Sequence, residues 1–102
     1  MNSAADIKKK MTTTSMKNQF IKSGISHVSL FGSYARWDAN NWSDLDLLIE
    51  LADDHTVTLG TLDDIEQLLQ KKLLVNRVDF VTKKSLNPRL KKTIQKDITP
   101  IF

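Results

Sequence analysis

The 102-residue chain has no cysteine, which excludes a disulfide framework, cysteine-ligated zinc, iron–sulfur clusters and thiol chemistry, and suits a reducing compartment. Its three glycines, at positions 24, 32 and 60, supply neither a G-x-G-x-x-G nor a Walker A loop, so dinucleotide-binding and P-loop folds are excluded. The two prolines both lie near the C-terminus, and no Pro-rich, Gly/Ser-rich or repeated stretch divides the chain. Apolar runs are only a few residues long, so no segment is expected to span a bilayer. The lysine-bearing start has no apolar stretch behind it to act as a secretory signal. A single cytoplasmic domain, residues 1–102, is the expectation.

What is present is ordinary in amount and uneven in place. Hydrophobic residues make up 40% and charged residues 26% of the chain, values that disfavour disorder and coiled coil. The net charge of +3 hides a basic N-terminal segment (1–26, net +4), an acidic centre (27–56, net −5) and a basic C-terminal segment (77–102, net +5). Lysines spaced along helices read as a solvated face, and nucleic acid is not the expected partner. The acidic centre is the less ordinary feature.

Periodicity predicts the order α-β-α-β-α-β-α. Ile7, Met11, Met16, Phe20 and Ile21 give one helical stripe over Ala4 to Ser23, weakened by Thr12, Thr13 and Thr14 and stopped at Gly24. His27–Phe31 reads as a strand. Asp44–Leu51 alternates strictly, with Leu45, Leu47, Ile49 and Leu51 on one face and Asp44, Asp46, Leu48 and Glu50 on the other. Thr61–Lys72 reads as a helix with Thr61 and Asp64 at capping-box spacing. Arg77–Thr82 reads as a second short β segment. Asn87 and Pro88 begin a last helix on which Leu90, Ile94 and Ile98 recur. The fold class is therefore α/β (α+β), a small mixed sheet packed on one face by helices, with the other face open to substrate.

Asp44 and Asp46, two apart on one strand, project to the same side, and a neighbouring strand can bring Asp79 beside them. Three ionised carboxylates at close range need a raised pKa or a divalent cation, and an oxygen-only set favours Mg²⁺ or Mn²⁺ over zinc. Gly32 and Ser33 follow a strand and open a turn, where a close-approaching backbone and a hydroxyl can cradle phosphate. Arg36, one turn on, can add a cation to the same phosphates or pair with Asp38 or another acid. Either dipeptide pattern alone is weak; together, as Gly32-Ser33, ten residues, Asp44-Leu45-Asp46 and then Val78-Asp79-Phe80-Val81, they are specific.

On these residues the chain resembles the nucleotidyltransferase superfamily that includes DNA polymerase beta, and most closely its minimal nucleotidyltransferase (MNT) family. The resemblance covers LFGSYAR at 30–36, SDLDLLIE at 43–50, a middle helix and VDFVT at 78–82. It implies a nucleotidyltransferase-type fold. It also implies two Mg²⁺ ions on Asp44, Asp46 and Asp79, with Asp79 on the acceptor side, and the triphosphate of ATP on Gly32 and Ser33. It further implies an antitoxin that transfers AMP to a tyrosine hydroxyl of a HEPN-type ribonuclease toxin. One departure is Trp37, where the family commonly has glycine. The alternatives are a nucleotide-binding antitoxin that works by occlusion, or a subunit that nucleotidylates a small molecule or a nucleic acid end. His27 and His55 read as structural or solvent-exposed and Tyr34 as packing, while Trp37 and Trp42 are divided between packing and contact with nucleotide or partner.

Overall fold

A computed structural model describes residues 4–36, 38–40, 42–52 and 57–102. The elements are α1 (Ala4–Met11), α2 (Thr14–Lys22), β1 (Ile25–Phe31), β2 (Leu45–Leu51), α3 (Leu59–Leu73), β3 (Val78–Thr82), a 3-10 turn (Lys83–Ser85), α4 (Pro88–Gln95) and β4 (Thr99–Pro100). The four strands form one mixed sheet in the order β3-β2-β1-β4. β1 pairs antiparallel with β2 and β4, whereas β2 and β3 are parallel. A parallel pair needs a crossover, and α3 supplies it.

The alternation of β2 decides the layering. Leu45, Leu47 and Ile49 are fully buried with Val28 and Leu30 of β1, against Ile7, Met11, Met16 and Phe20 of the first two helices and Ile65, Leu69 and Leu73 of α3. The opposite sheet face carries Asp46, Leu48 and Glu50 and is partly covered by α4, whose Ile94 is buried outside the main core. Among the described residues no helix is long and apolar enough to cross a membrane.

Five sequence expectations are adjusted. The short helix expected between the first two strands is, among the described residues, a turn at 33–36. The stripe from Ala4 to Ser23 is two helices, not one. The Thr12 hydroxyl donates to the Lys8 carbonyl at 2.8 Å, and Thr13 caps α2 by accepting from the Met16 N–H. Threonine hydroxyls offer the backbone an alternative to helix continuation, and here they break it. Thr58, not Thr61, caps α3: its hydroxyl accepts from the Thr61 N–H at 3.1 Å, so the helix starts a turn early. The last helix is capped by Asn87, whose side chain accepts from the Leu90 N–H at 2.7 Å, but it ends at Gln95, short of Ile98. The two-residue β4, too short to show a period, was not foreseen. Gly24 does follow α2 in a left-handed conformation, φ 90°.

Candidate active site

Register brings the site together. Along the parallel ladder Asp46 of β2 lies opposite Asp79 of β3, and across the antiparallel ladder Asp46 lies opposite Phe31, the residue before Gly32. Three strands thus align Phe31, Asp46 and Asp79 in one row, with Gly32 immediately beyond the end of β1. Gly32 has φ 76°, a conformation that disfavours side chains. A Cβ built there would collide with the Asp46 carboxylate, whose Cγ would stand 3.0 Å away. Glycine is therefore what lets the turn and the carboxylate occupy neighbouring space.

Residues 33–36 form a turn, closed by the Arg36 N–H donating to the Gly32 carbonyl at 3.0 Å and the Asp38 N–H donating to the Ser33 carbonyl at 3.1 Å. Of the two readings of Arg36, the structure shows the ion pair: Nε lies 3.1 Å from Asp38 and Nη1 3.7 Å from Asp97. Asp44 directly precedes β2, and its Oδ1 accepts from Asn76 Nδ2 at 3.2 Å. The same amide donates to the Trp42 carbonyl at 3.3 Å. The Glu66 carboxylate accepts from the Val78 N–H at 2.8 Å and so fixes the start of β3.

Electrostatics mark Asp46. Burial, then the charges of Asp79 and Asp44 and a hydrogen bond to Asp79, push its carboxyl up from 3.8 to about 6, with Arg36 pulling the other way. Asp79 faces Asp46 across the parallel ladder, while Asp44 acts through its field. As the side chains stand, no three His, Cys, Asp or Glu among the described residues are gathered closely enough to hold an ion. The donor chemistry nonetheless fits a hard divalent cation: an oxygen-only set in which burial and neighbouring negative charge raise the Asp46 carboxyl.

Tyr34 packs in the core at 4% exposure, and burial followed by the Asp44 charge raises its pKa. The Trp42 ring is 83% exposed and His27 is exposed. Trp37 and His55 lie outside the described residues. Asn76, Glu66 and Asp97 were missed by sequence reasoning. Asn76 and Glu66 reach partners 32 and 12 residues away, and Asp97 reaches Arg36 from beyond α4, so no local pattern signals any of them.

The family model described as the nucleotidyltransferase domain matches residues 14–100. The chain belongs to that family. Among relatives of this nucleotidyltransferase, a Methanocaldococcus jannaschii protein provisionally named a protein adenylyltransferase is 35% identical over 75 residues, covering 72% of this chain and 74% of the relative. Protein adenylyltransferase MntA of Thermococcus cleftensis is 33% identical, over 74% and 73% of the two chains. A solved structure provisionally described as a minimal nucleotidyltransferase superposes with a TM-score of 0.72 at 28% identity, covering 97% of this chain and 96% of that one. The fold is shared, at a TM-score of 0.53 and 23% identity over 84% and 68% of the chains, with a complex of the tri-AMPylated Shewanella oneidensis HEPN toxin and its MNT antitoxin.

Proposed function

We propose that this nucleotidyltransferase moves AMP from ATP to a tyrosine hydroxyl of a HEPN-type toxin in the cytoplasm and thereby acts as its antitoxin. The observation that carries the reading is the Asp46–Asp79 pair beside the Gly32 turn, where burial and neighbouring negative charge raise the Asp46 carboxyl. The names of the adenylyltransferase relatives and the AMPylated toxin held by a protein of the same fold support the choice of group and acceptor.

Asp44, Asp46 and Asp79 would hold two Mg²⁺ ions. When bound, Mg²⁺ supplies charge neutralisation at the phosphates and lowers the pKa of an acceptor hydroxyl. The chain's own groups do the rest. Gly32 and Ser33 hold the β- and γ-phosphates through backbone N–H groups and the Ser33 hydroxyl. Arg36 can join them if it exchanges its carboxylate partners for phosphate. Asp79, on the outer strand, orients the acceptor and assists removal of its proton. The acceptor oxygen bonds to the α-phosphorus, the bond to the bridging oxygen breaks, and pyrophosphate leaves with that electron pair. The gain comes from positioning and electrostatics, with no covalent enzyme intermediate.

The test is incubation with α-labelled ATP, Mg²⁺ and the partner toxin. Label appears on the toxin with wild type and is lost with Asp44→Ala or Asp79→Ala. A second reading, an antitoxin that acts by occlusion, is favoured by Asp44 turned to Asn76 and Arg36 engaged by Asp38 and Asp97. Protection of the toxin without label would establish it.

A further inference from the structure

β3 is an outer strand of the sheet: among the described residues only β2 pairs with it. In a parallel ladder successive residues turn their backbone groups alternately toward the neighbouring strand and away from it. The Leu45 N–H donates to the Arg77 carbonyl at 2.8 Å, so Arg77, Asp79 and Val81 face β2, whereas Val78, Phe80 and Thr82 face outward. The outward N–H of Val78 is taken by the Glu66 carboxylate at 2.8 Å. Among the described residues no group bonds the outward N–H and carbonyl of Phe80.

Along that edge, between β3 and the first half of α3, runs an open groove of about 540 Å³. Leu59, Leu62 and Phe80 give it apolar surface, and its charged lining, Asp63, Glu66 and Asp79, is all carboxylate. Leu59, on the first turn of α3, is 85% exposed. The groove thus shares Asp79 with the candidate site and offers unpaired backbone, apolar surface and negative charge together. In phosphoryl-type transfer the entering and leaving oxygens stand in line through the phosphorus. On the transferase reading above, the phosphates lie at the Gly32 turn beyond β1, with Asp46 on β2 and Asp79 on β3. That line crosses the strands and leaves the sheet over the edge of β3, where an acceptor meets the groove.

We propose that the outer edge of β3 and this groove receive a short extended segment of the acceptor protein, paired with Phe80 as an added strand. Strand addition draws affinity from main-chain bonds and specificity from alternate side chains. The residue opposite Asp79 turns its side chain to the open face, where the carboxylates are, and its two neighbours turn theirs into the groove. The segment is therefore a hydroxyl-bearing residue, tyrosine on the reading above, flanked by apolar and basic residues. The assignment rests on the transferase reading and adds how the acceptor is chosen.

The probes are three short synthetic peptides with one central tyrosine. The first has leucine and lysine on either side, the second has glutamate for lysine, and the third is the first methylated at the backbone nitrogens beside the tyrosine. Amide chemical shifts of the protein report binding, α-labelled ATP with Mg²⁺ reports transfer, and thermal melts confirm that each variant is folded. The basic peptide should shift the Phe80 amide and the first half of α3, and should bind at least about tenfold more tightly than either counterpart. Leu59→Ser and Asp63→Lys, both at exposed helix positions, should each weaken it by about tenfold. They should raise its KM with kcat unchanged and leave Mg·ATP affinity at the wild-type value. Equal binding of the three peptides, shifts confined to other parts of the chain, or wild-type peptide affinity in either variant overturns the docked strand and leaves the transferase reading standing. So does a dimer of this chain, seen by sedimentation, in which the Phe80 amide is already protected. A basic peptide that binds as expected and takes no label supports the docked strand and overturns the transferase reading.

Discussion

Replacing Asp46 with asparagine should silence the enzyme and stabilise it. The folded protein holds the Asp46 proton up to about pH 6, against 3.8 for an unperturbed group. Between those values the folded chain binds more protons than the unfolded one, so stability falls as pH rises through the window and stays at its lower level above it. The gap would be worth about 3 kcal/mol for a fully buried group. Asp46 is only half-buried, and solvent screening brings the expected figure to about 1 kcal/mol. Asparagine removes the charge, nearly keeps the shape, and can donate to Asp79 where the protonated carboxyl did.

Urea melts of both proteins in chelator, from below pH 3.8 to above pH 6, measure the difference. Above the window Asp46→Asn should be more stable by about 1 kcal/mol, which is about 4–8 °C in Tm for a domain of this size. Below the window the two should coincide. Saturating Mg²⁺ should then raise the stability of wild type, because a ligand that binds only the folded state shifts the equilibrium by mass action, and should leave the asparagine variant where it was. A variant that is no more stable than wild type above pH 6 in chelator refutes the reasoning, as does a difference that ignores pH. Either result means that Asp46 is not held beside uncompensated negative charge.

Gly32→Ala should cost about 1–2 kcal/mol for its left-handed backbone and, by pushing the Asp46 carboxylate aside, lower AMP transfer by at least about tenfold; label transfer and urea melts check the two effects separately. Thr58→Ala should lose about 1 kcal/mol as the true cap of α3, while Thr61→Ala should stay within about 0.5 kcal/mol of wild type, a contrast that thermal melts resolve. Leu47→Ala, in the centre of the sheet with no exposure, should cost about 2–5 kcal/mol, read as a lowered urea midpoint with an unchanged slope.

What was legible in the sequence is whatever a strand writes in its own alternation. Leu45, Leu47 and Ile49 are buried, and the same period that buries them forces Asp46 to the other face, so core and candidate carboxylate are two readings of one pattern. Asp79 stands in the same relation to Val78 and Phe80. What alternation cannot encode is which strands lie side by side. That Asp46 faces Asp79 follows from a parallel register that α3 makes possible, and that Gly32 abuts Asp46 follows from the antiparallel register with β1. The helix ends were misread for a related reason: runs of threonine at 12–14 and threonines at 58 and 61 offer several equivalent caps, and only packing against the sheet selects among them. Asn76 and Glu66 escaped notice because their work is to hold Asp44 and β3 from across the fold. The sequence motif therefore names the groups proposed to touch phosphate and cation, whereas the groups that aim them are fixed by register and become visible only in three dimensions. The carboxylate row itself depends on both, since a slip of one residue between β2 and β3 would leave Asp46 and Asp79 on opposite faces of the sheet.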